Sequence, residues 1–201
     1  MAYSDFTIER LSSEFGVGFS GAKLFEAVKP IEPSAWLTQA LAMATEAGFG
    51  SEKSRSERLV SPVLLELARH NRNDFIVISG ANLDVEPARG LNGECDFIFS
   101  FTRLQDFIKA PVFCISEAKK QDIEYGTVQC AAQLIGASRL NEREKKPIKT
   151  LYGCSTTGVE WRFIRFEDNE FVFDETRYLI SDAGKLLGVL QSIVDMARPA
   201  K

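Results

Sequence analysis

The run Pro111-Val112-Phe113-Cys114-Ile115-Ser116-Glu117-Ala118-Lys119-Lys120 decides the reading of this chain. As far as Ser116 every side chain is apolar or small, so neither face is left for water. A strand of that kind lies inside a sheet covered on both sides. Within the next four residues the run turns charged, which carries polar groups to the end of the sheet, where the sites of open α/β sheets gather. Side chains alternate along a strand, so Glu117 and Lys119 project on the same side.

Working outward, Glu94-Cys95-Asp96-Phe97-Ile98-Phe99-Ser100-Phe101 reads as a strand, preceded by a turn-rich Glu86–Gly93 and an earlier strand Phe75–Ser79. If the strands holding Asp96 and Glu117 pair as a hairpin, Asp96 sits beside Glu117 on the shared face. Val60, Leu64, Leu67 and Ala68 recur at helical spacing and predict a helix over 56–70, which Pro62 either starts or kinks. A helix from Pro33 to Ala44, capped by Ser34, precedes it.

Beyond the charged triplet, Gly126–Leu140 reads as a helix and Thr150–Cys154 as a strand. Val159–Phe166 and Glu170–Tyr178 form a hairpin across Glu167-Asp168-Asn169, and Ser181 caps a last helix. The order predicts an α/β domain over 51–201, a mixed sheet flanked by helices, with residues 1–50 as an N-terminal extension bearing one helix. Gly16-Val17-Gly18-Phe19-Ser20-Gly21 matches GxGxxG, but no buried strand precedes it and Pro30 and Pro33 follow closely. A turn-rich segment is the better account, and no nucleotide cofactor is expected.

Composition prunes the chemistry. The 201 residues are 45% hydrophobic and 26% charged, the balance of a globular domain. No apolar run is long enough to span a membrane and no secretory leader is legible, so a cytoplasmic protein is expected. His70 is the single histidine, which excludes sites built on two, and its place at a helix end suits the helix dipole. The four cysteines stand far apart in apolar surroundings and read as buried free thiols. A net charge of −4 argues against holding nucleic acid by a general basic surface, though not against a local groove.

Asp96 and Glu117 offer oxygen ligands to a hard cation such as Mg²⁺, with Mn²⁺ as a substitute, and Lys119 brings an ammonium close by. These are the ingredients for hydrolysing a phosphodiester. Glu-x-Lys alone carries no weight, since Glu144-Lys145-Lys146 also matches it in a charged loop. The buried strand before Glu117 and the Asp in the strand before that make the difference.

The succession of helix, strand, Gly93-Glu94-Cys95-Asp96-Phe97, then Ile115-Ser116-Glu117-Ala118-Lys119, then a helix beginning Gly126-Thr127-Val128-Gln129, resembles the PD-(D/E)XK nuclease superfamily. It is most similar to the nuclease modules at the front of type I restriction subunits, over about residues 56–166. The resemblance implies a restriction-endonuclease-like fold and a DNA substrate. It also implies Mg²⁺ on Asp96 and Glu117, with Lys119 assisting the attacking water. Cys95 stands where the nominal pattern has Pro. The family often carries a glutamate on the preceding helix. Glu57 fits by sharing a face with Val60, Ser61 and Leu64, while Ser54–Glu57 equally fits a capping box. Gln129 resembles a glutamine some members carry, although Gln129 and Gln133, one turn apart, also suit a solvent-facing stripe.

Lys120, Arg139, Arg143, Lys145, Lys146 and Lys149 form the main basic cluster, either a flank for a phosphate backbone or a solvated loop. Trp161, Phe163, Phe166, Phe171 and Phe173 alternate with polar residues and read as sheet core. The rival to catalysis is a silent module of the same fold that binds DNA or a partner protein. Small nucleases that cut both strands often pair up, which suggests a homodimer or a partner subunit.

Overall fold

The computed structural model describes residues 1–72, 74–104, 106–119 and 122–198. The chain forms an eight-stranded mixed sheet: β1 (Gly18–Ala22), β2 (Ile76–Asn82), β3 (Glu94–Ser100), β4 (Val112–Ala118), β5 (Leu151–Thr156), β6 (Glu160–Glu167), β7 (Glu170–Asp174) and β8 (Tyr178–Leu179). The spatial order is β1-β7-β6-β5-β4-β3-β2, with β8 paired to β6. β4 is flanked by β3 and β5 and buried at every position, as its unbroken apolar run requires.

β3 and β4 are antiparallel, whereas β4 and β5 run parallel. A parallel pair needs a long crossover; here it is α5 (Ile123–Arg143), capped by the Asp122 side chain on Tyr125 N. α5 begins three residues earlier than the sequence pattern suggests, because Asp122 supplies the cap. β6 and β7 turn on Asp168 and Asn169 alone, both at positive φ (50° and 60°), the two-residue hairpin their side chains tolerate.

Helices cover both faces. On one face α2 (Ala35–Ala47), α4 (Ser61–His70) and α6 (Ala183–Ala197) pack Leu37, Leu64, Leu67 and Leu190 against Phe99, Phe113, Trp161 and Phe163. On the other, α5 lays Cys130, Ala131 and Leu134 over Ile98, Ile115 and Ile164. Trp161, Phe163 and Phe171 are fully buried, as the alternation predicted, and all four cysteines are free and buried. Among the described residues, no helix is long and apolar enough to cross a membrane.

Three expectations change. Gly18–Ala22 is not a turn-rich segment but an edge strand parallel to β7. Tyr3, Phe6, Leu11 and Val17, the last three in and around α1 (Ile8–Phe15), belong to the α5-side core. Residues 1–50 therefore supply a strand and core side chains to the same sheet. The glycines conceal this, because they weaken the apolar alternation that marks a strand.

The second change concerns the helix read over 56–70. It begins at α3 (Glu52–Arg55) and passes through a five-residue π turn, Ser56–Val60, into α4. Its cap is Ser51, which forms a reciprocal box with Ser54, so the box read at Ser54–Glu57 is not formed. Pro62, which has no N–H to donate, follows directly on the wide turn. Third, the last helix is capped by Asp182, whose carboxylate accepts from Lys185 N, and not by Ser181.

Candidate metal and phosphodiester centre

The last paired residues of the β3–β4 ladder are Phe97 and Ser116, and one step further along the same register Asp96 faces Glu117. There the backbone pairing stops and a side chain replaces it: Asp96 Oδ2 accepts the Ala118 N–H at 2.6 Å. That bond aims the carboxylate across the strand end. Glu117 is level with Ser155 on β5, and Ser155 stands opposite Arg162 on β6. One row across the sheet thus reads Asp96, Glu117, Ser155, Arg162, beneath the first turns of α5.

Glu117 is held from three sides. Lys119 Nζ lies 2.9 Å from its Oε1, Gln129 Nε2 donates to the same oxygen, and Gln133 Nε2 donates to Oε2 at 2.9 Å. Neither glutamine faces solvent: Gln129 is 8% exposed and Gln133 is 0%. The solvent-stripe reading of that helix face is therefore corrected, and its cause is the depth at which α5 sits. Gly126 and Gly153 let the helix down onto the sheet, since a Cβ on Gly153 would come 3.0 Å from Leu134 Cδ1. Gln133 was missed as a member of the site. Its signal was the i, i+4 spacing from Gln129, which marks a shared face without saying which way it points.

Burial sets the electrostatics. It pushes the Glu117 carboxyl up to about 7, assisted by repulsion from Asp96 and opposed by Lys119. Asp96 is raised as well, chiefly by burial, against the lowering effect of the Ala118 N–H. Burial alone would depress the Lys119 ammonium, but Glu117, Glu52 and Asp96 outweigh it and the net shift is upward. The pocket therefore holds two acids and one cation, a mixture that a further positive charge would relieve.

Of the remaining residues, Glu57 does not join the centre. Its side chain is 60% exposed and pairs with Lys53 at 3.8 Å, because the π turn rotates it away from the face it would share with Val60 and Leu64 in a regular helix. Glu52, one turn earlier, is the helical acid whose charge reaches both Asp96 and Lys119.

The described part of the basic cluster gathers at the far end of α5, about 30 Å from its start at 1.5 Å per residue. Lys149 pairs with Glu167 at 2.8 Å and Arg139 with Glu142 at 3.3 Å. Lys120 lies outside the described residues. A cavity of about 640 Å³ lined by Phe101, Pro111 and Met196 also opens at that end, away from the acids.

Among the described residues no group of three or more His, Cys, Asp or Glu side chains gathers as a metal site. The protein donors to a cation here are two carboxylates. That set suits Mg²⁺, which binds one or two carboxylates and retains waters and substrate oxygens for its other positions. No protein-family model matches the chain, and no curated protein matches it.

Proposed function

We propose that the chain is a Mg²⁺-dependent deoxyribonuclease of the PD-(D/E)XK kind, built on a restriction-endonuclease-like fold. The observation that carries this reading is Asp96 facing Glu117 at the end of β3 and β4, with Lys119 Nζ 2.9 Å from Glu117 Oε1. A mixed sheet with a β4–α5–β5 crossover whose helix lies over that triplet supports it.

Asp96 and Glu117 are the residues that would hold the ion, whose chemistry is to acidify water and offset charge building on a phosphate. Lys119 orients the attacking water by its ammonium and faces the charge that develops on the phosphoryl oxygens. Gln129 and Gln133 fix the Glu117 carboxylate in one orientation, as outer partners of a ligand do. A second copy or a partner subunit would bring a second such centre to the opposite strand of a duplex.

The test is incubation of the pure protein with plasmid and linear DNA in Mg²⁺, Mn²⁺ or EDTA. Cation-dependent cleavage that disappears in Asp96→Ala is the expected result. DNA bound equally well in chelator and never cut would instead assign the chain to silent modules that bind DNA.

A further inference from the structure

The row across the sheet does not end at Glu117. Two strands on, roughly 10 Å away at the usual interstrand spacing, stands Arg162. Its side chain is only 20% exposed, yet among the described residues it donates no side-chain hydrogen bond, and its Nε is buried without a partner. The nearest acid is Glu124, at 3.9 Å, the outer limit of an ion pair. A largely buried guanidinium left in that condition is unusual, because its desolvation is ordinarily offset by hydrogen bonds.

A second guanidinium stands beside it, among the carboxylates Glu124, Asp174 and Glu160. Arg177 donates to the same Glu124 oxygen at 2.9 Å and lies 3.2 Å from Glu160, so two guanidiniums converge on one carboxylate that is 66% exposed. Burial, and after it repulsion from Arg177, lowers the Arg162 pKa, against the pull of Glu124, Asp174 and Glu160. The Phe173 ring, 5.1 Å from Arg162 Cζ, gives the guanidinium a platform. Between Arg162 and Glu117, Ser155 is fully buried, and among the described residues its Oγ has no partner. That hydroxyl lies against Gly126 in the first turn of α5, which covers it and closes it to a ligand from solvent.

We infer that Arg162 and Arg177 form a phosphate subsite that takes a backbone phosphate of the scissile DNA strand beside the Asp96–Glu117 centre. The inference rests on the nuclease reading above. The incoming phosphate replaces Glu124 between the two arginines, whose planar forks suit it. Glu124, exposed and on the first turn of α5, swings outward to water. The subsite meets a need of the acidic centre: two carboxylates repel a polyanion, and cations one position along offset that. Lys146 and Lys149, at the other end of the sheet, cannot do so.

The experiment uses the Asp96→Asn protein in EDTA, so that no cleavage intervenes, and fluorescent duplexes carrying one neutral methylphosphonate at successive positions. Arg162→Gln is expected to weaken binding about tenfold and to reduce the slope of log K against log salt by about 0.9, one phosphate contact. The one methylphosphonate position that weakens binding to the parent becomes silent in the variant. Arg177→Gln, at a more exposed position, gives the same pattern should Arg162→Gln fail to fold, while Lys146→Gln leaves the profile unchanged. A parent that binds DNA while both arginine variants keep its slope and profile overturns the subsite alone. A parent that does not bind DNA, together with an unsubstituted protein that does not cut it in Mg²⁺ or Mn²⁺, overturns the nuclease reading and the subsite with it.

Discussion

Gly126 lies directly over Lys119: a Cβ at position 126 would come 2.7 Å from Lys119 Cγ and closer still to Ser155 Oγ. The first turn of α5 and the stem of the lysine therefore share a space that only glycine leaves open. Gly126→Ala has to push the lysine away from Glu117 or lift the helix. Expected is a loss of at least tenfold in cleavage rate, with a stability cost of about 1–3 kcal/mol from overpacking. Single-turnover cleavage and thermal melts of the same preparation check both; unchanged cleavage would show that Lys119 needs no fixed position.

Lys119 and Asp96 separate two roles. Lys119→Ala should abolish cleavage and leave divalent-ion binding largely intact, because the ammonium contributes to the reaction and not to the ligand set. Asp96→Ala should lose both. Calorimetric titration with Mn²⁺ beside a plasmid assay distinguishes them, and cleavage retained in Lys119→Ala counts against the mechanism.

The raised carboxyl of Glu117 gives stability a pH signature. Its folded pKa, about 7, lies above its ordinary value of 4.5, so between those values the folded state holds more protons than the unfolded. Stability should then fall as pH rises through that window in EDTA. Asp96, also raised, acts in the same direction. Melting temperatures from pH 4.5 to 8 should show the decline in the parent and a much smaller one in Glu117→Gln. Saturating Mg²⁺ should flatten it by holding the carboxylates ionised.

Gln133 donates to Glu117 and to the Glu94 carbonyl (3.3 Å) while fully buried. Gln133→Leu leaves the carboxylate short of a donor and should cost about 1–3 kcal/mol. The apparent pKa of the Glu117–Asp96 pair should rise further, moving the pH–rate profile upward. A profile that stays in place would assign Gln133 to packing alone.

The N-terminal segment offers a test of the fold. Tyr3 is buried against α5 at Gly136, and its hydroxyl donates to the Leu83 carbonyl at 2.7 Å. Tyr3→Ala should therefore destabilise the whole domain by about 3–5 kcal/mol, the usual cost of deleting a buried aromatic. Urea unfolding reads this; a melt shifted only in a minor early phase would mean that the first residues fold as a separate piece.

Local order determined much of this protein. Unbroken apolar character made β4 a central strand, and period-2 alternation placed the β6–β7 hairpin and its aromatic core. Alternation of faces put Glu117 and Lys119 on one side, because strand geometry is the same in every sheet. Tertiary structure decided what depends on rotation and depth. The π turn sent Glu57 outward, and the glycines between α5 and the sheet let Gln129 and Gln133 come inward onto Glu117. The pairing of β1 with β7 drew the first residues into the sheet, and the order β4-β5-β6 set Arg162 in line with the acids. A periodic pattern shows that residues share a face; which neighbour that face meets is settled only when the strands are ordered and the helix is laid down.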